Sequence, residues 1–224
     1  MYIIDRCNVE GMAPQDTLTA IMKAIDYGVD EIELELMVTK DHQVVLAKNS
    51  YITGSDNLNL KISDHSLSEL KQHRREITTL SQALELTRNK IKLCVVFKPK
   101  TELYAIMKQL QDELKLNTKP QNITIASADF AALSQIKKTL PGFSYAVNES
   151  WSGVRARLRA NKLGTKRLNM SAKWLWRGYV TPLSKQGYKI YAYTINDPIK
   201  AGKMINYGLA GIFTDQPDKF LNVK

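Results

Sequence analysis

The chain has 224 residues, 44% hydrophobic and 24% charged, with a formal net charge of +10 at pH 7. That mixture suits one globular domain built around a single sizeable core. It excludes a segment that crosses a bilayer, since no apolar run nears the roughly 20 residues a crossing needs, and Cys7 and Cys94 alone make no disulfide framework.

In chain order, "YIID" reads as a first strand and is followed at once by Arg6, then by "PQDT" ahead of the helical pattern "DTLTAIMKAIDYG". Next come "EIELELM" and "VVLAKN", separated only by "VTKDHQ". A parallel return needs a crossover of about a dozen residues, so these two runs form a hairpin. From Ser50 to about Thr78 the sequence is polar and weakly periodic, and it reads as a small cap inserted before the helix "TTLSQALELTRN". The runs "IKLCVVFK", "ITIAS", "FSYAV", "RLNM", "KIYAYT" and "GIFTD" then follow as strands. Stretches such as "TELYAIMKQLQDELK", "DFAALSQIKKTL" and "DPIKAGKMINYG" between them are long enough for helices. Nine strand runs less the hairpin return leave eight, the count of an α/β protein of the (β/α)8 TIM barrel class. The expectation is one domain over residues 1–224, with the hairpin and a cap at about 50–78 on the C-terminal face. The chain reads as soluble, whether cytoplasmic or the soluble domain of an anchored protein.

Active sites of such barrels lie where the strands end. The polar residues there are Asp5, Arg6, Glu33, Glu35, Lys98, Ser127, Asn169, Thr194, Asn196 and Asp215. Glu33 and Glu35 are two apart on one strand and share a face. Helices cover the outside of a barrel, so that face is the lumen, where two carboxylates are costly unless paired or metal-bound. The return strand of the hairpin brings Lys48 and Asn49 to the same mouth.

Several motifs in register along the chain carry a resemblance: "DRC", "PQDT", "GVDEIELE", "TKDH" with "VVLAKN", "VVFK", "SADF", "YTIN" and "GIFTDQP". Their order and spacing resemble the glycerophosphodiester phosphodiesterases over nearly the whole chain. That family shows His-Arg-Gly, Pro-Glu-Asn-Thr, Gly-x-Asp-x-Ile-Glu-x-Asp, Thr-x-Asp-Gly with a strand ending His-Asp, Ile-Glu-Ile-Lys, Ser-Phe, Trp-Thr-Val-Asn and Gly-Ile-x-Thr-Asp-x-Pro. The resemblance implies two histidines as general acid and base, and a divalent cation held by three carboxylates. Here the histidine positions carry Asp5 and Lys48, and the third carboxylate position is Val96. Gln15 and Asp16 stand in place of the acid and amide of Pro-Glu-Asn-Thr. The catalytic positions implied are thus Asp5, Arg6 and Lys48, the ligand-binding ones Arg6, Lys98, Tyr193 and Asn196, and the metal-binding ones Glu33 and Glu35. His42, His65 and His73 lie in the hairpin turn and the cap, away from any strand end.

Two readings follow. In the first, Lys48 lies between Glu33 and Glu35 in place of a cation, no cofactor is held, and the barrel binds a phosphate-bearing small molecule without hydrolysing it. In the second, Asp5, Glu33 and Glu35 form a rearranged Mg²⁺ or Ca²⁺ site in a working phosphoric diester hydrolase.

Charge is localised as well. From Trp151 to Lys189 there are ten Lys or Arg, no Asp or Glu, and all three tryptophans of the chain. Basic residues interleaved with tryptophan suit an anionic lipid or polymer surface. The other reading is a solvated helical face with its tryptophans packed inward. Nucleic acid ranks last as a partner, since no nucleic-acid motif is present.

Overall fold

A computed structural model describes residues 1–7, 13–54, 58–98, 101–116 and 119–220. The first unit is β1 (Tyr2–Asp5) and α1 (Leu18–Asp26), the helix capped by the Thr17 hydroxyl accepting from the Ala20 amide. The hairpin is β2 (Glu31–Val38) and β3 (Val44–Leu46), antiparallel with Leu36 opposite Leu46. The inserted cap contains structure that its sequence does not advertise: a two-stranded sheet of β4 (Tyr51–Thr53) and β5 (Asn59–Lys61), then α2 (Leu67–His73). After α3 (Leu80–Thr87) come β6 (Lys92–Phe97), α4 (Leu103–Leu114), β7 (Ile123–Ser127) and α5 (Phe130–Thr139). The chain continues through β8 (Ser144–Glu149), α6 (Gly153–Leu163), β9 (Arg167–Ser171), α7 (Arg177–Lys185), β10 (Lys189–Tyr193), α8 (Pro198–Ile205) and β11 (Gly211–Thr214).

Eight of these strands close a parallel barrel in the order β1, β11, β10, β9, β8, β7, β6, β2, with β1 pairing back to β2. The fold is the (β/α)8 TIM barrel. Closure depends on one close approach: a Cβ on Gly211 would lie 2.4 Å from the Tyr2 carbonyl oxygen, so β11 meets β1 only through a glycine there. β2 outruns β1, and the hairpin partner β3 pairs with its far end.

The alternation of the strands sorts the core into two layers. Ile3, Ile32, Leu34, Val95 and Ile125 pack outward against the helices, whereas Ile4, Cys94, Val96, Ala126, Ala146 and Phe213 fill the lumen. Among the described residues no helix is long and apolar enough to cross a membrane. Cys7 and Cys94 are both buried free thiols.

Candidate functional site

Register builds the site. β1 pairs with β2 through Asp5 and Ile32, and with β11 through Asp5 and Thr214. One residue further along each strand stand Arg6, Glu33 and Asp215, and two residues past Glu33 on the same face stands Glu35. The Arg6 guanidinium joins all of them: Nε donates to Glu33 Oε2 at 2.9 Å, Nη2 to Glu35 Oε1 at 3.3 Å and Nη1 to Asp215 Oδ1 at 3.4 Å. Nη1 also donates to the Thr194 hydroxyl at 2.9 Å. Burial alone would make this guanidinium easier to deprotonate, but the charge and hydrogen bond of Glu33, with Asp215 and Glu35 behind them, raise its pKa instead.

The acids around it are under strain of a different kind. Burial pushes Glu33 up to about 7, with Arg6 pulling it down and Glu35 pushing it further up. Asp5 is fully buried and also pushed up to about 7, first by burial and then by Asp215 and Glu33. Neither Asp5 carboxylate oxygen has a hydrogen-bond partner among the described residues. Asp16 is raised to about 6 by burial, partly offset by the Lys48 backbone amide, which donates to its Oδ2 at 2.9 Å.

This arrangement corrects the expectation for Lys48. The cation between Glu33 and Glu35 is Arg6, and Lys48 makes no ion pair with either glutamate among the described residues. The reason is position: the pairing with β2 ends where the Ala47 amide donates to the Glu35 carbonyl, and Lys48 lies beyond it, its own amide held by Asp16. Its carbonyl accepts a hydrogen bond from Lys98 Nζ, and the same ammonium lies 3.8 Å from Glu35 Oε2.

Of the remaining candidates, Tyr193 shares a hydrogen bond between its hydroxyl and Ser150 Oγ at 2.9 Å and sets its ring edge-on to Phe213. Asn196 turns its side-chain oxygen to the Thr214 hydroxyl and the Asp215 amide, at 2.9 and 3.0 Å, and so positions the acid that holds Arg6. Asp215 and Thr194 were visible on the rim but were not picked out as site residues. The signal for Asp215 lay in its place one residue past the end of the strand next to Arg6. The histidines stay away from the mouth: His42 pairs with Glu102 on the surface, His65 bonds the Lys61 carbonyl, and His73 ends α2 in the cap.

A divalent cation would have to displace the Arg6 guanidinium from this donor set. Such an ion needs several hard oxygen ligands around an open point, and one oxygen each of Glu33, Glu35 and Asp215 is turned onto the guanidinium. Val96, opposite Glu35 in register, adds no ligand. Among the described residues no group of three acids, histidines or cysteines is arranged to hold a metal ion.

A parallel barrel whose charged residues gather where β1, β2 and β11 end belongs to the class of TIM-barrel proteins with a site at the C-terminal mouth. The chain matches the Glycerophosphoryl diester phosphodiesterase family over residues 9–219, and it belongs to that family. It is 26% identical over 229 residues to a glycerophosphodiester phosphodiesterase of Caldanaerobacter subterraneus, with 94% of this chain and 92% of the relative covered. Among solved structures it resembles an Oleispira antarctica phosphodiesterase in complex with the product sn-glycerol-3-phosphate, with a TM-score of 0.86, 25% identity and coverage of 98% and 94%. A glycerophosphodiester phosphodiesterase from Thermotoga maritima superposes with a TM-score of 0.81 at 24% identity, over 100% of this chain and 98% of its own.

Proposed function

We propose that this chain is a phosphodiesterase-family barrel that binds a phosphate-bearing small molecule at its mouth and does not hydrolyse it. The observation that carries this reading is the Arg6 fork. Its three ion pairs set a fixed positive charge among the carboxylates that would otherwise attract a catalytic cation. The residues at the family's histidine positions support it too. A general acid or base must reach the proton it moves within about 3 Å, and Asp5 is fully buried, while Lys48 is an amine where the family has an imidazole. The opposing reading, a metal-dependent hydrolase built on Asp5, Glu33 and Glu35, requires a cation where the guanidinium lies.

What remains suits an anion. Lys98, with its side chain 43% exposed, and the half-buried Lys48 stand beside the mouth, and an ammonium is an effective point charge for phosphate. The Oleispira antarctica relative holds sn-glycerol-3-phosphate, which makes that phosphomonoester the probe of choice. Calorimetric titration should show sn-glycerol 3-phosphate binding, and Lys98→Met should weaken it about tenfold, the usual effect of losing a hydrogen bond to a charged group. Absence of binding at millimolar concentration, or binding untouched by Lys98→Met, would contradict the reading.

A further inference from the structure

The basic stretch from Trp151 to Lys189 does not form one surface. Arg167 is half-buried against Glu31 at the opposite end of the barrel, and Arg155 clasps the buried Glu149 through two hydrogen bonds, with Arg159 3.6 Å from the same carboxylate. The tryptophans, however, are not packed inward. Trp151, Trp174 and Trp176 are 73%, 47% and 61% exposed. All three follow strand ends on the face of the Arg6 mouth: Trp151 between β8 and α6, Trp174 and Trp176 between β9 and α7. Ile199, 72% exposed in the first turn after β10, extends the same rim.

These side chains are held in place. Trp151 stacks obliquely on Trp174 with ring centroids 6.3 Å apart, and Trp176 on Tyr179 at 5.7 Å. The Tyr179 hydroxyl donates to the Gly153 carbonyl at 2.9 Å, and a Cβ on Gly153 would lie 2.3 Å from the Tyr179 ring, so a glycine is required beneath it. A chain of contacts joins the rim to the site: Trp151 follows Ser150, whose hydroxyl meets Tyr193, and the next residue, Thr194, holds Arg6. Among the tryptophans stand the exposed Arg157, Lys173 and Arg177. The nearby acid, Glu149, is already neutralised by Arg155, whose hydrogen bonds outweigh burial and hold that carboxyl below its usual range.

We infer that this rim is a docking surface for a bilayer bearing anionic headgroups, with the indoles entering the interface and Arg157, Lys173 and Arg177 meeting the lipid phosphates. Indole rings favour the water–hydrocarbon boundary, and cations beside it gain from the negative leaflet. Exposed indoles beside cations that pair with no acid among the described residues complement that one surface, whereas an acidic soluble partner would use the charges and leave the rings in water. Docked in this way, the barrel mouth faces the headgroups. The docking is independent of whether the mouth binds phosphate.

All three tryptophans of the chain lie on this rim, so intrinsic tryptophan fluorescence reports on it alone. With vesicles of phosphatidylcholine and phosphatidylglycerol, the wild-type emission should shift to the blue and be quenched by brominated acyl chains. Pure phosphatidylcholine vesicles should give far less of both. Binding should weaken steeply with salt, because exposed charges are screened over about 8 to 10 Å at physiological ionic strength. Reversing Arg157, Lys173 and Arg177 to glutamate should lower vesicle affinity by roughly a hundredfold or more, since each cation near such a leaflet is worth about fivefold. The same reversal of Lys90, Lys138 and Lys185, at the other end of the helices, should leave most of the binding intact. An absence of blue shift and quenching at low salt would overturn the inference whatever the variants do. Equal losses from the two triple reversals would reduce the effect to net charge and overturn it as well.

Discussion

Arg6→Met should lower the stability of the fold more than any other single change at the mouth. The guanidinium is the shared counter-charge of Glu33, Glu35 and Asp215, whose side chains are only 9 to 19% exposed. Removing one partner of a buried ion pair typically costs about 3 to 5 kcal/mol because the other charge is left uncompensated. For a chain of this size that is a fall in melting temperature of roughly 10 °C. The loss should shrink in mild acid. Glu33 already titrates near 7 with Arg6 pulling it down, so without Arg6 the folded state holds its proton more tightly still. A group with a raised folded pKa contributes stability that is present at low pH and lost as pH rises. The variant should therefore be most impaired at pH 8 and recover toward pH 5. Lys48→Met, at a half-buried position with no ion pair to the glutamates, should stay within about 0.5 kcal/mol of wild type. Thermal melts of the two variants across that pH range decide the matter. A strong effect at Lys48 and none at Arg6 would mean the charges are arranged the other way round.

The second large effect concerns Asp5. Its carboxyl is fully buried, without a hydrogen-bond partner at either oxygen among the described residues, and pushed up from 3.8 to about 7. In the unfolded chain the same group ionises near 3.8. Between those values the folded protein holds a proton that the unfolded chain has released, so stability should fall as pH rises from about 4 to about 7 and then level off. A shift of this size corresponds to roughly 4 kcal/mol. Asp5→Asn has nearly the shape of the protonated acid and cannot ionise. It should equal wild type near pH 4, exceed it in stability at pH 8, and show a flatter pH dependence. Some slope should persist from Glu33 and Asp16, both also raised by burial. Parallel curves for the two proteins would show that Asp5 is ionised in the fold without penalty.

These two residues also mark how far the sequence could be read. The barrel was legible because its strands are short β-branched runs, and the hairpin because "VTKDHQ" is too short for a crossover. The placement of Glu33 and Glu35 on one lumen face followed from a spacing of two. The cap was not legible in detail. Its strands are three residues each, and a single inward residue in each, Ile52 and Leu60, is too short an alternation to detect. Arg6 was visible as a rim residue, but its partners are set by the register of β1 against both β2 and β11. Register between strands far apart in the chain is a tertiary property, and a local pattern favours Lys48 as readily as Arg6. The tryptophans posed the same difficulty. Indoles in a basic stretch pack inward or face solvent equally well on sequence grounds, and only the strand ends placed them on the mouth side of the barrel.

The central claim is that the Arg6 fork has taken the place of a catalytic cation. The most direct test follows glycerophosphocholine by phosphorus NMR in the presence of excess Mg²⁺ or Ca²⁺, with wild type and Glu33→Ala side by side. Acid–base catalysis alone is worth about a hundred- to ten-thousandfold per proton transfer, so its loss is easily seen. The account predicts that sn-glycerol 3-phosphate appears no faster with wild type than with Glu33→Ala. Metal-dependent release of sn-glycerol 3-phosphate by wild type, abolished in Glu33→Ala, would contradict it.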